Sequence, residues 1–149
     1  MAYSQSAAAI LTGKWTYRSF LNDPTQVTHD PAQAAEKLLA LLFAEAVFTF
    51  ETPTPTSLKG AIDWPGGGLN LHGTVQGDGG TPVLVLIGTG RPHTDTAHWE
   101  YDYHGQLAHH WPNGVNQRPA IVGNVIRAKP HNGAPAGVVA SFIAVKQTR

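Results

Sequence analysis

Residues 98–127 read HWEYDYHGQLAHHWPNGVNQRPAIVGNVIR and hold two of the four tryptophans, two of the four tyrosines and four of the eight histidines. From 98 to 104 the stretch alternates strictly. An extended chain therefore sets Trp99, Tyr101 and Tyr103 on one face and His98, Glu100, Asp102 and His104 on the other. Gly105 and the polar run to His110 mark a bend. Trp111-Pro112-Asn113-Gly114 is a turn, because proline presets φ and Asn-Gly tolerates positive φ. A second strand, 120–128, offers Ile121, Val125 and Arg127 to one side and Val122, Asn124 and Ile126 to the other. The chain here is β structure, with no helix expected between 112 and 128.

The same period runs outward from this stretch in both directions. Toward the N-terminus, residues 13–20 alternate, with Trp15, Tyr17 and Ser19 opposite Lys14, Thr16 and Arg18. One short helix follows over 29–39, where Asp30 is an N-cap and Pro31 sits at the first helical position. Residues 46–51, rich in β-branched and aromatic side chains, return to strand. Pro53 and Pro55 interrupt, and then 58–64 and 69–75 flank Pro65-Gly66-Gly67-Gly68 as a hairpin with Leu69, Leu71, Gly73 and Val75 on its inner face. Gly77-Asp78-Gly79-Gly80 marks another turn, 83–90 a strand apolar on both faces, Arg91-Pro92-His93 a loop, and 137–146 a last doubly apolar strand. About eight mostly sequential strands linked by short turns, with one short helix after the first, predict an all-β fold: one up-and-down antiparallel barrel spanning 1–149, with a two-sheet sandwich as the alternative.

Composition agrees. Sixteen glycines and eleven prolines against only 13% charged residues suit many tight turns and few exposed helices. Ten basic and ten acidic residues cancel, and no stripe of cations follows a phosphate backbone, so nucleic acid is not an expected partner. The absence of cysteine excludes disulfides, thiolate catalysis and zinc–thiolate centres. No window approaches the roughly 20 apolar residues that cross a bilayer. The opening MAYSQSAAAIL lacks a basic n-region and a long apolar run, which sets the expectation of a cytoplasmic protein.

Gly13-Lys14-Trp15 at the head of the first strand resembles the Gly-x-Trp signature that opens lipocalin-like and avidin-like barrels, the calycins. The resemblance implies a barrel whose tryptophan closes one end, often beneath a basic residue of the final strand, a part open to Arg127 or Lys146. The run from Trp111 to Gly123 is also similar to a group of small uncharacterised bacterial proteins.

Trp99, Tyr101 and Tyr103, with Trp15 and Tyr17, are candidates to line a ligand cavity, joined by Trp111 and Arg127; the alternative is plain core packing. The opposite stripe reads as a solvated face. Were it turned inward, His98, Asp102 and His104 would become acid–base candidates, with carboxylates orienting imidazoles. His104, His109 and His110 make a poor metal set, because adjacent residues of an extended chain point to opposite faces, and neither a metal nor a cofactor is expected. Gly88-Thr89-Gly90-Arg91-Pro92 lacks the lysine and following helix of a phosphate loop, and no other catalytic signature is present.

Three functions fit: a barrel binding one small apolar or aromatic molecule; a cofactor-independent isomerase, cyclase or lyase using His, Asp or Tyr in the same cavity; and an assembly subunit without a ligand. The doubly apolar strands add an expectation of self-association as a homodimer or homotetramer. The faces bearing Leu84 and Leu86, Val122 and Ile126, and Val139 and Ile143 would meet a second copy.

Overall fold

Alternation decides the architecture strand by strand. In the computed structural model, which describes residues 6–77, 81–108 and 110–148, eight strands close into an antiparallel barrel in sequence order. They are β1 (Gly13–Leu21), β2 (Leu42–Thr54), β3 (Ser57–Trp64), β4 (Gly67–Gln76), β5 (Val83–Gly90), β6 (Glu100–Leu107), β7 (Ala120–Arg127) and β8 (Val139–Lys146). β8 returns to pair with β1, setting Tyr17 opposite Ala144 and Trp15 opposite Lys146, so the sheet has no free edge.

Every second residue points inward. Trp15, Tyr17 and Ser19 of β1, Leu69, Leu71 and Val75 of β4, Tyr101, Tyr103 and Leu107 of β6, and Ile121, Val125 and Arg127 of β7 are all buried. The faces expected for the first strand and the 65–68 hairpin are the faces found, and of the two apolar faces of 120–128 the one bearing Ile121, Val125 and Arg127 turns inward. Tyr17, Phe48, Tyr103 and Phe142 form a ring cluster in the middle, with Tyr17 and Phe48 meeting edge-on at 4.8 Å. Two wall positions make room for it. A Cβ on Gly88 would stand 3.1 Å from the Tyr103 ring, and one on Gly105 would stand 3.1 Å from Phe142.

The helix expected after the first strand is α2 (Pro31–Ala40), preceded by α1 (Ala7–Leu11), which reading for local period did not reveal. Asp30 Oδ1 accepts from Ala32 N–H at 2.9 Å to cap α2, which buries none of its residues; Leu38 and Leu39 face solvent. Five residues are too few to hold a helix in water. α1 persists because Ile10 and Leu11 are buried across the end of the barrel where β1 begins. No helix among the described residues is long and apolar enough to cross a membrane.

Several boundaries differ from expectation, each for a tertiary reason. β2 starts at Leu42 and runs through Pro53, whose missing N–H is accommodated where pairing with β3 shifts between Glu51 and Thr54. β6 starts at Glu100 and continues to Leu107, because Ala120–Arg127 pairs with it through Gly105 rather than allowing a bend there. The 112–113 turn is present, closed by Gly114 N–H donating to Trp111 O at 3.2 Å, but the positive φ of this connection falls at Asn116. Leu84 and Leu86 are fully buried inside the barrel, which removes them from any contact between copies. The outward apolar residues of β5 are Val83, Val85 and Ile87, since a period of two admits only one parity to the interior. The turn expected at 77–80 falls mostly on residues outside those described.

Candidate functional site

The two ends of the barrel are built differently. Where β1 begins and β8 finishes, α1 lies across the opening, and the Trp15 indole N–H donates to Leu11 O at 2.9 Å. The Lys146 ammonium donates to Ile10 O and Ala9 O at the C-terminal end of α1, where its charge also meets the negative end of the helix. Of the two basic residues that the barrel resemblance offered for this end, Lys146 holds it. Burial and the nearby Arg118 guanidinium keep the Lys146 pKa below its ordinary value. Arg127 lies at the far end of the adjoining strand.

That far end holds a cup of 440 Å³. Its floor is Tyr17, Tyr103, Ile62, Leu69 and Val125, and its rim includes Phe43, Trp64, Trp99, Tyr101, Arg127 and His131. The rim is a run of flat groups. Trp64 stacks on Trp99 at 6.0 Å and 21°, and Trp99 stacks on the His131 ring at 3.8 Å and 12°. Each is placed by backbone. Trp64 ends β3 at the two-residue turn Pro65-Gly66, where Gly66 adopts φ 87°. Trp99 ends a loop pinned by the buried Thr96 hydroxyl, which donates to Gly68 O at 2.8 Å. That loop packs so closely on β5 that a Cβ at Gly90 would fall 1.5 Å from Thr96 O.

His131 comes from the connection between β7 and β8. His131 and Ala134 exchange backbone hydrogen bonds of 3.1 and 2.8 Å around Asn132 at φ 50° and Gly133 at φ 79°, a tight turn that needs left-handed residues at both central positions. The turn carries the imidazole back over the rim, where its Nε2 is 2.7 Å from the Tyr101 hydroxyl oxygen.

Arg127, the last residue of β7, is 8% exposed. Its Nε donates to the Tyr101 hydroxyl oxygen at 3.0 Å and its Nη1 donates to Pro135 O at 3.1 Å. The guanidinium carbon also lies 5.4 Å from the Phe43 ring centre and 5.8 Å from that of Tyr101. Burial, then the positive charge of Arg127, lowers the His131 pKa below 6.5, so the imidazole is neutral at pH 7. Tyr101 accepts from Arg127 and shares a second hydrogen bond with His131 Nε2, whose direction follows the imidazole tautomer. The other ring nitrogen, Nδ1, is buried without a hydrogen-bond partner. Below this layer, burial raises the pKa of both Tyr17 and Tyr103, so their phenols stay protonated.

Of the residues proposed from sequence to bind a ligand, Tyr17, Trp99, Tyr101, Tyr103 and Arg127 line this one cup. Trp15 is fully buried at the other end and does not line it. Trp111 is 66% exposed in the connection between β6 and β7, which leaves the barrel at the closed end. His98, Asp102 and His104 do not turn inward: His98 and His104 are exposed, and the Asp102 position faces out between Ile87 and Ile126. Asp102 is nonetheless partly covered. Burial first, and the Glu100 carboxylate second, raise its pKa against the pull of His104, and its Oδ1 has no hydrogen-bond partner. No set of three or more His, Asp or Glu among the described residues suits a metal ion, and His109 of the expected poor set lies outside those residues.

Phe43, Trp64 and His131 were not singled out from sequence. A readable signal existed for His131 alone, in the Asn132-Gly133 pair that folds its loop back. No protein-family model and no curated protein matches this chain.

Proposed function

We propose that this protein is a binding barrel that holds one small aromatic or apolar molecule in the cup at its open end. The observation that carries the reading is a 440 Å³ recess walled by rings, with a single convergent polar group, Tyr101 with Arg127 and His131, at one side. Recesses of about 300–1,000 Å³ that are mostly apolar, with few fixed polar groups, are the usual form of small-molecule sites. The barrel closure and the pairing of Trp15 with Lys146 at the opposite end support placing the fold with the calycin-like barrels.

Titration with mono- and bicyclic arenes tests the reading, using the fluorescence of Trp64 and Trp99 at the rim. Saturable quenching with a dissociation constant below about 1 mM is expected, weakened by Trp99→Ala; no binding across the panel defeats the proposal.

One observation favours a second reading, in which the same cup is a cofactor-independent acid–base enzyme. The Tyr101 hydroxyl is poised between a cation and a neutral imidazole, an arrangement that exchanges a proton with a bound molecule. Tyr101→Phe separates the two: a binder keeps most of its affinity, whereas an isomerase or lyase loses turnover while still binding.

A further inference from the structure

Arg127 is a buried cation that no carboxylate among the described residues balances. It is 8% exposed and lines the cup, and none of those carboxylates comes within 4.0 Å of it. The acidic side chain on the cup lining is Glu45, which is 56% exposed and lies 3.9 Å from Arg18. His131 contributes no countercharge, being neutral. What the fold supplies instead are neutral acceptors, the Tyr101 hydroxyl and Pro135 O, and the faces of two rings.

A guanidinium has five N–H donors. One on Nε and one on Nη1 are used, leaving three, two of them on Nη2. Removing a cation from water without an opposite charge is costly, and such a group persists where a partner arrives to meet it. The fold itself holds Arg127 in place: Tyr101 takes the Nε–H and Pro135 one Nη1–H, which leaves both Nη2–H groups and one Nη1–H uncommitted.

We infer that the molecule held in the cup is a monoanion, an aromatic or apolar body bearing one carboxylate, and that Arg127 receives the carboxylate through its uncommitted N–H groups. This rests on the binding-barrel reading of the cup. A carboxylate is planar and matches the guanidinium fork, and a single negative charge balances a single cation. A dianion such as a phosphate monoester would carry a second charge into an apolar recess with nothing opposite it. The rings of Trp64 and Trp99 take the body of the molecule, while Tyr101 holds the guanidinium in orientation.

The test is a panel of mono- and bicyclic arylcarboxylates, each paired with its uncharged primary amide and titrated by calorimetry. It uses the wild type, Arg127→Lys and Arg127→Met, with circular dichroism confirming that each variant is folded. The amide keeps the shape and removes the charge. In the wild type each bound acid is expected to exceed its amide by about tenfold or more, the range of a charge-assisted hydrogen bond. Arg127→Met should lose this preference while still binding the amides, and Arg127→Lys should retain part of it.

Equal affinity for acid and amide in the wild type overturns the inference and leaves the binding cup standing. Binding of neither member of any pair overturns both. If Arg127→Met fails to fold, the acid-to-amide ratio in the wild type decides alone.

Discussion

At the closed end of the barrel Trp15 is fully buried beneath α1, and the cation beside it, Lys146, donates to two carbonyls of that helix. At the open end Trp99 is partly exposed on the rim, and the cation beside it, Arg127, has no carboxylate partner among the described residues. Both ends combine an indole with a long basic side chain. The difference lies in what else the chain brings. Leu11 covers Trp15 and a helix end satisfies Lys146, so the first pair is a plug. Only flat rings and neutral acceptors reach the second pair, so it remains a recess. A tryptophan and a cation in a barrel therefore do not define a site; the completeness of their partners decides between core and cup.

The largest effect should follow from breaking the plug. Trp15→Ala removes a fully buried ring and should cost about 3–5 kcal/mol in urea unfolding. A loss under about 1 kcal/mol would show that the two tryptophans are equivalent and would break the comparison.

Trp99→Ala should cost only about 1–2 kcal/mol, because its ring is partly in water already. Its stacks with Trp64 and His131 shape the rim, so arene affinity should fall by about tenfold, out of proportion to stability. A stability loss as large as that of Trp15→Ala would make Trp99 a core residue instead.

Lys146→Met removes the cation from the end of α1 while keeping its stem. About 0.5–1 kcal/mol should be lost, with ligand affinity unchanged, since the cup lies at the other end. Reduced affinity in this variant would mean that the two ends communicate.

The smallest effect concerns pH. The folded chain lowers the His131 pKa, so below about pH 6.5 the unfolded chain takes up this proton first, and stability falls until the pH passes the folded value. Arg127, Tyr101 and Trp99 surround the ring, and of these Arg127 carries a charge. Between pH 7.5 and 5.5 the wild type should therefore lose more stability than His131→Gln, by less than about 1 kcal/mol. An equal loss in both would remove the open end as a source of pH sensitivity.

Sequence alone determined the strands and, where the two faces differ in character, their parity. Trp15 and Tyr17, and Tyr101 and Tyr103, are inward because each sits at one phase of a two-residue period, and that phase is written locally in the contrast between aromatic and polar side chains. The helix after the first strand was equally legible, from Asp30 and Pro31. What parity does not carry is position along the barrel. Trp111 follows the aromatic strand in sequence yet leaves with the chain at the closed end, while His131, outside any strand, is returned by its turn to stack on Trp99. Likewise, apolar residues on both sides of Val83–Gly90 do not say which row faces inward; that was settled when β4 and β6 paired with it and enclosed Leu84 and Leu86. Which end became the plug and which the cup depended on register and closure among strands far apart in the chain. Those are contacts between residues, and only the tertiary structure brings them together.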